Sequence, residues 1–299
     1  MDKKAFLKIN DVVKVVGIVG ENNLEKAAWE GDDVIRGSLN VIVDLKVANE
    51  DVTLNVPVNF FVKKHTNAGT VNVAYTNLET AYNDIRSAAV VGKENATCVA
   101  INNGRIFMNE YYNKNGNLVS FPRINASFIN VIDRSKMKPE ASFKVIMVVG
   151  NERLDEVDAD GIETGRYLLK GVVEQWGGKY DIVPFVVTNP NAIEYIREHW
   201  EPNSTIEANG RLNFTVTTRE VTKEAAFGEP TVETYTNTIS ELVITAGYPP
   251  IDEDDGRHMD LAEVSAGLKA RTADLEEKKK KASEKDGTQK KAEYTNLGF

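Results

Sequence analysis

One cysteine in 299 residues leaves no partner for an internal disulfide, and it removes thiolate-rich zinc sites as well. That residue, Cys98, lies in Ala96-Thr97-Cys98-Val99, a strand-like setting that reads as core, because a nucleophilic thiol needs a histidine beside it. Histidine is also scarce: His65, His199 and His258 are far apart and read as surface residues. Neither His-Glu-x-x-His, Cys-x-x-Cys nor the phosphate-cradling Gly-x-x-x-x-Gly-Lys-Ser/Thr loop occurs, and no Gly-x-Ser-x-Gly elbow is present. Glu156-Val157-Asp158-Ala159-Asp160-Gly161 resembles half of a calcium loop, but Tyr167 stands where the bidentate Glu is required, so a solvated acidic loop is expected. No acid, base and nucleophile set converges. An enzyme is not expected, and nothing calls for a cofactor or metal.

Long apolar runs are missing too. No stretch approaches the roughly 20 residues needed to cross a bilayer, and Met1-Asp2-Lys3-Lys4 leads into a strand-like segment without the apolar core of a leader. The expectation is an intracellular, cytoplasmic chain with no membrane attachment, in which the triplets at Asn95, Asn125 and Asn203 carry no glycan. With 36 basic and 45 acidic residues the net charge is −9, which argues against a broad basic coat but leaves room for a local basic groove. The charge is uneven: residues 1–135 are net neutral, 136–250 net −7 and 251–299 net −2. An anionic ligand is therefore expected on the first part.

What the chain does contain is a duplication. Lys14-Val15-Val16-Gly17-Ile18-Val19-Gly20 returns as Lys144-Val145-Ile146-Met147-Val148-Val149-Gly150, and Ile35-Arg36-Gly37 parallels Leu169-Lys170-Gly171. Leu54 to Val62 answers Tyr180 to Val187, with Pro57 and Pro184 at matching places, and Asn103-Gly104-Arg105 answers Asn209-Gly210-Arg211. A closing strand follows each time, near Phe128–Ile132 and Ile239–Ile244. Between the third and fourth strands lies a helix, marked by Leu78, Tyr82, Ile85 and Ala89 in one copy and by Ala192 to Trp200 in the other. Three strands, a helix and two strands is the order of an OB-fold. The expected fold is mainly β: two tandem OB-fold-like five-stranded barrels, each with one helix, plus a C-terminal helical tail. Residues 1–135 form the first domain and 136–250 its duplicate. Residues 251–299 comprise an acidic linker, a helix over 257–285 with Leu261, Val264, Leu268 and Leu275 on one stripe, a Lys278–Lys281 charge run and a disordered end.

An OB-fold meets single strands on the outer face of its second and third strands and on two loops, where aromatic rings stack on bases and cations track phosphates. Alternation puts Leu54, Val56, Val58 and Phe60 inside and Asn55, Asn59, Phe61 and Lys63 outside, beside an outward Arg36. Trp29 in the first loop, Tyr111 and Tyr112 in the fourth-to-fifth loop, and Arg105, Phe107 and Arg123 beside it complete the first set. The second copy offers Arg166, Lys170 and Trp176 on one strand face, Lys179 after a Gly-Gly turn, Arg211 where the repeat puts Arg105, and Phe227 in its long loop. Each of these also has an ordinary reading as core or surface; Phe60, Phe128, Phe143 and Phe185 in particular read as core.

Through Gly161-Ile162-Glu163-Thr164-Gly165-Arg166-Tyr167, Gln175-Trp176-Gly177-Gly178-Lys179 and Asn209-Gly210-Arg211-Leu212, the chain resembles the tandem-OB single-stranded-DNA-binding proteins of phages and prophages of Gram-positive bacteria. The resemblance covers about residues 5–247. It implies a protein of the bacterial host cytoplasm, without strong sequence preference, that coats and protects single-stranded DNA during replication and recombination. It also implies docking of replication or recombination proteins on a terminal Phe, here Phe299, although this last stretch is lysine-rich rather than acidic. The 261–275 stripe packs on the barrels or mediates homo-oligomerisation. The rival reading is a β-rich structural or assembly protein, such as a phage-particle component, that binds no nucleic acid.

Overall fold

The computed structural model describes residues 11–223 and 231–294, with side chains described outside 217–223, 231–236 and 284–294. The first copy contains β1 (Asp11–Asn22), β2 (Glu25–Trp29), β3 (Asp32–Val47), β4 (Glu50–Lys63), α1 (Val73–Asp84), α2 (Ala88–Val91), β5 (Cys98–Tyr112), β6 (Leu118–Ala126) and β7 (Asn130–Ile132). The second contains β8 (Glu140–Val157), β9 (Glu163–Gln175), β10 (Lys179–Val187), α3 (Pro190–His199), β11 (Thr205–Lys223) and β12 (Thr231–Gly247), and α4 (Leu261–Tyr294) follows. Alternation is what makes these strands: in β4, Leu54, Val56, Val58, Phe60 and Val62 are buried while Thr53, Pro57 and Phe61 are exposed. The short helices are set by their caps. Asn72 accepts from the Ala74 amide, and Asn189 accepts from the Asn191 and Ala192 amides with Pro190 beginning α3.

The two copies close in the same way. β1 pairs antiparallel with β3 and β5, β3 with β4, β5 with β6, and β4 joins β6 in parallel. In the second barrel β8 pairs with β9 and β11, β9 with β10, β11 with β12, and β10 joins β12 in parallel. β2 and β7 are additions on β3 and β5; the strand that answers Ile239–Ile244 in the first barrel is therefore β6, not the expected segment near Phe128–Ile132. Val19 faces Val41 as Val149 faces Gly171, and Asn40 faces Pro57 as Lys170 faces Pro184. Pro57 and Pro184 therefore do correspond, but Arg36-Gly37 does not match Lys170-Gly171; Arg36 corresponds to Arg166 and Asn40 to Lys170. The two glycines serve different ends. Gly37 has φ +123° against the Asn23 carbonyl, whereas Gly171 makes room for Met147 and Phe185. The Asn-Gly-Arg recurrence has a single cause in both barrels: a Cβ on Gly104 would press on Val13, and one on Gly210 would lie 2.2 Å from the Phe143 ring.

β1 and β8 also pair with each other, Asp11 opposite Val145 through Val16 opposite Glu140, so both barrels belong to one 12-stranded sheet. Beyond Gly104, where the pairing with β1 ends, this edge of β5 has no strand partner among the described residues, and side chains take its place. Asp11 Oδ2 accepts from the Ile106 amide, Gln175 Nε2 donates to the Ile106 carbonyl at 3.0 Å, and Asp181 Oδ2 accepts from the Met108 amide at 3.0 Å. Lys278 Nζ donates to the Glu110 carbonyl at 3.3 Å. Residues 106, 108 and 110 alternate along the strand, so their amides and carbonyls share one edge. Burial pushes the carboxyls of Asp11 and Asp181 above their ordinary range, against the pull of Arg105 in the first case and of the Met108 amide in the second.

α4 does not stand apart as a tail. Val264 and Met259, with Leu268, pack on Ile146, Val148, Val172 and Tyr180. These are outward positions of β8, β9 and β10. Gly267 lies against the Tyr180 ring, and burial there, with Glu174, Glu263 and Asp260 near by, pushes the Tyr180 hydroxyl up to about 12. Farther along, Arg271 pairs with the nearly buried Glu110, and Lys279 sits 5.8 Å over the Tyr112 ring. The helix thus spans Leu261–Tyr294 rather than 257–285, taking in part of the end expected to be disordered, and reaches from the second barrel to the first. The 251–256 segment is also tied down, by the Ile251 amide donating to the Thr205 carbonyl. Phe128, expected in the core, is 43% exposed; its neighbour Ile129 is buried instead. Ala89 falls in α2, beyond the end of α1.

Two outcomes follow from this packing. The raised Asp181 carboxyl contributes fully below its ordinary value of 3.8, and that contribution is lost as pH rises through the folded-state value. Asp181→Asn keeps an acceptor for Met108 without the charge. It should match wild type near about pH 3 and become the more stable of the two by about pH 7, read as the difference between their urea midpoints across pH. A side chain at 267 must displace the Tyr180 ring, which a Cβ would meet at 2.0 Å. Gly267→Val should accelerate amide exchange in the first half of α4 and in β10 while leaving exchange in β3 and β4 unchanged.

Candidate nucleic-acid interface

The outward side of the first barrel can be assembled strand by strand from the registers. On β5 and β6, Arg105 lies opposite Asn125, Phe107 opposite Arg123, Asn109 opposite Phe121 and Tyr111 opposite Val119, all on one face. β6 hands this face to β4, where Asn125 lies opposite Asn59, and β4 hands it to β3, where Phe61 lies opposite Arg36 and Asn59 opposite Ser38. Trp29, expected in a loop, is the last residue of strand β2, and its ring meets Phe61 edge to face with centroids 5.7 Å apart. Both rings remain open to solvent, Trp29 at 43% and Phe61 at 50%. Phe121, 37% exposed, belongs to the same face and was missed in the sequence. Its signal was present in Phe121-Pro122-Arg123, two residues apart as strand alternation demands.

Tyr111 and Tyr112, expected in a loop, end β5 instead, and strand alternation divides them. Tyr111 stays on this outer face, exposed, while Tyr112 turns to the opposite face and meets Lys279 of α4.

The cations of the first barrel are held, not loose. Arg36 Nε lies 2.7 Å from Glu25, Lys63 Nζ 2.8 Å from Glu30 and Arg105 Nη1 2.9 Å from the buried Asp11. Lys63 holds the Glu30 carboxyl below its ordinary range. Arg123 is positioned by amides instead, donating to Asn59 Oδ1 at 2.5 Å and Asn109 Oδ1 at 3.3 Å, while Asn59 donates to the Ile124 carbonyl at 3.1 Å. The Arg36 and Lys63 pairs are partly exposed, where such contacts contribute only about 0–1 kcal/mol, so a phosphate can replace the carboxylate at little cost.

The second barrel presents a different surface at the same places. Arg166 is engaged by both Glu241 and Glu156, and Lys170 by Glu152. Arg211 is half-buried, and among the described residues it forms no ion pair. By register Glu241 replaces Arg123, Asn213 replaces Phe107 and Ile239 replaces Phe121, and Thr188, one residue beyond β10, takes the place of Phe61. Trp176 is 84% exposed at the β9–β10 turn, with Gly177 and Gly178 at φ +80° and +71° and Lys179 exposed behind it. α4 crosses the face at Val172 and Tyr180, so it separates Trp176 from Lys170 and Arg166. Trp200 is buried, its indole donating to the Tyr248 carbonyl at 3.0 Å. Phe227 and Phe299 lie outside the described residues. Among the described residues no group of three or more His, Cys, Asp or Glu side chains is placed to hold a metal ion, and no helix is long and apolar enough to cross a membrane.

Comparison with solved structures returns the same architecture. The wild-type single-stranded DNA binding protein from Thermus aquaticus is 9% identical, with a TM-score of 0.51 over 83% of this chain and 95% of that one. A deletion variant of the same protein is 10% identical, with a TM-score of 0.52 over 83% and 97%. At this identity the likeness is one of fold. No curated protein matches in sequence. The sequence model of one family does match, over residues 10–281 and so over most of the chain: the chain belongs to the YorF family.

Proposed function

We propose that this chain binds single-stranded DNA on the outer face of its first barrel, largely without regard to sequence. The observation that carries this reading is the gathering of Trp29, Phe61, Phe107, Phe121 and Tyr111 on one side of the β2–β3–β4–β6–β5 sheet, interleaved with Arg36, Lys63, Arg105 and Arg123. Aromatic faces accept any base, and the side-chain amides of Asn59 and Asn109 orient a guanidinium rather than read a base edge, so sequence preference is weak. Arg36 and Lys63 take up phosphate by exchanging it for Glu25 and Glu30. The likeness to the single-stranded DNA binding protein of Thermus aquaticus supports the scaffold for this role.

In the second barrel, Arg166, Lys170 and Arg211 serve as weaker contacts, since carboxylates or α4 crowd two of the three. On this reading residues 1–135 and 136–250 are the two domains and 251–299 is an appendage. The chain coats exposed strands during replication or recombination, in the manner of a phage protein in the host cytoplasm, and Phe299 and Phe227 act at its partner-docking and strand-contacting ends.

Phe61→Ala removes one stacking platform and should weaken oligo-dT binding about tenfold, within the roughly 1–3 kcal/mol such a platform contributes. Four phosphate-tracking cations predict a log–log salt slope near about −3, which Arg36→Ala should flatten by about 0.7. Fluorescence anisotropy of a labelled strand reads both. Equal affinity for a matched duplex, or no binding at low salt, would overturn the proposal in favour of a structural or assembly protein.

A further inference from the structure

We infer that the strand-binding surface continues across the barrel junction: Trp176 and Lys179, carried by the second barrel, complete the track on β5 of the first, and one DNA strand occupies both together. This rests on the reading proposed above and specifies the route of the strand.

The argument begins with how the β9–β10 turn is held. Gln175, immediately before Trp176, is buried and donates to the Ile106 carbonyl, and Asp181 accepts from the Met108 amide. Ile106 lies between Arg105 and Phe107, both of which point to the outer face. Register places Lys179 opposite Gln175, so Lys179 shares the side of the hairpin that is turned towards β5. With a glutamine side chain spanning the gap and consecutive Cα atoms 3.8 Å apart, the Trp176 backbone lies within about 10 Å of the Ile106 carbonyl. Arg105, Phe107, Trp176 and Lys179 are thereby gathered at one place, although they lie about seventy residues apart in sequence.

Two further observations exclude a separate role on the second barrel. α4, packed over Val172 and Tyr180, separates Trp176 from Arg166 and Lys170 on the second barrel's own strand face. The positions of Phe61, Phe107 and Phe121 in the first barrel are taken by Thr188, Asn213 and Ile239 in the second, so among these described positions Trp176 has no stacking companion there. Of the large hydrophobic side chains in the described residues, Trp176 is the most exposed, at 84%. Its turn is fixed on both sides by junction hydrogen bonds, so its exposure is built into the fold.

The test uses the full chain and its own indoles. Trp200 is buried at 1% exposure and stays constant, so Trp29→Phe leaves Trp176 as the responsive indole and Trp176→Phe leaves Trp29. Oligo-dT of about sixteen nucleotides should quench both variants at the same equivalence point, one strand per chain, whereas about four nucleotides should quench only the Trp29 reporter. Trp176→Ala should weaken the long oligonucleotide about tenfold and leave the short one unchanged. Quenching of Trp29 without Trp176, or of Trp176 only at a second equivalent of strand, would overturn the continuous track while leaving strand binding intact. Silence of both indoles together with unchanged anisotropy of a labelled strand would overturn strand binding itself, and the track with it.

Discussion

Everything about the relation of the two barrels depends on the edge of β5. β1 pairs with β8 on one side and with β5 on the other, but its pairing with β5 ends at Gly104, and an unpaired strand edge inside a protein is costly because its amides and carbonyls lose water without gaining partners. The cost is removed by side chains acting as a partial strand: Asp11 on one amide, Asp181 on the next and Gln175 on the carbonyl between them. Because two of these three come from the second barrel, closing the first barrel's edge and docking the second barrel are one event. The buried carboxylates carry a penalty of their own, visible in their raised protonation range, and the structure accepts it in return for a junction with fixed geometry.

That junction breaks the symmetry of the duplication. Both barrels retain the same ladder, the same outward proline and the same glycine under a core side chain, because closure requires them. Their outer faces have diverged. The first carries rings and cations, whereas at matching places the second carries Glu241, Asn213 and Thr188, with α4 laid over Val172 and Tyr180. A surface covered by a helix and studded with carboxylates is poorly suited to a polyanion, so the proposed strand site falls on the first barrel by charge and by access alike.

The duplication was legible in the sequence for a physical reason. The glycine of Asn-Gly-Arg recurs because Phe143 leaves no space for a Cβ at Gly210 and Val13 crowds one at Gly104, and β4 was legible because burial alternates with a period of two. Errors arose where local pattern and tertiary environment part. Gly37 and Gly171 look alike as letters, yet one answers a backbone conformation and the other a crowded core. Phe128 has the hydrophobicity of a core residue, but its neighbour Ile129 occupies the inward position. Phe121 follows the alternation of Arg123 and was masked by the intervening proline.

Sequence by itself determined the mainly β fold, the repeated strand–helix–strand order and the amphipathic stripe of α4, but not β2 or the closing strand β6, because only the former follow from side-chain periodicity and from glycines that local packing makes necessary. Only the tertiary structure decided which cations are engaged and by what. Arg105 meets Asp11 across 94 positions and Arg271 meets Glu110 across 161, separations at which no local pattern carries information. It also decided that β1 pairs with β8, that α4 lies on β9 and β10, and that Trp176 stands beside the first barrel. Each of these depends on which edge or face remains unsatisfied after the barrels have closed, and that is a property of the assembled sheet rather than of any one segment.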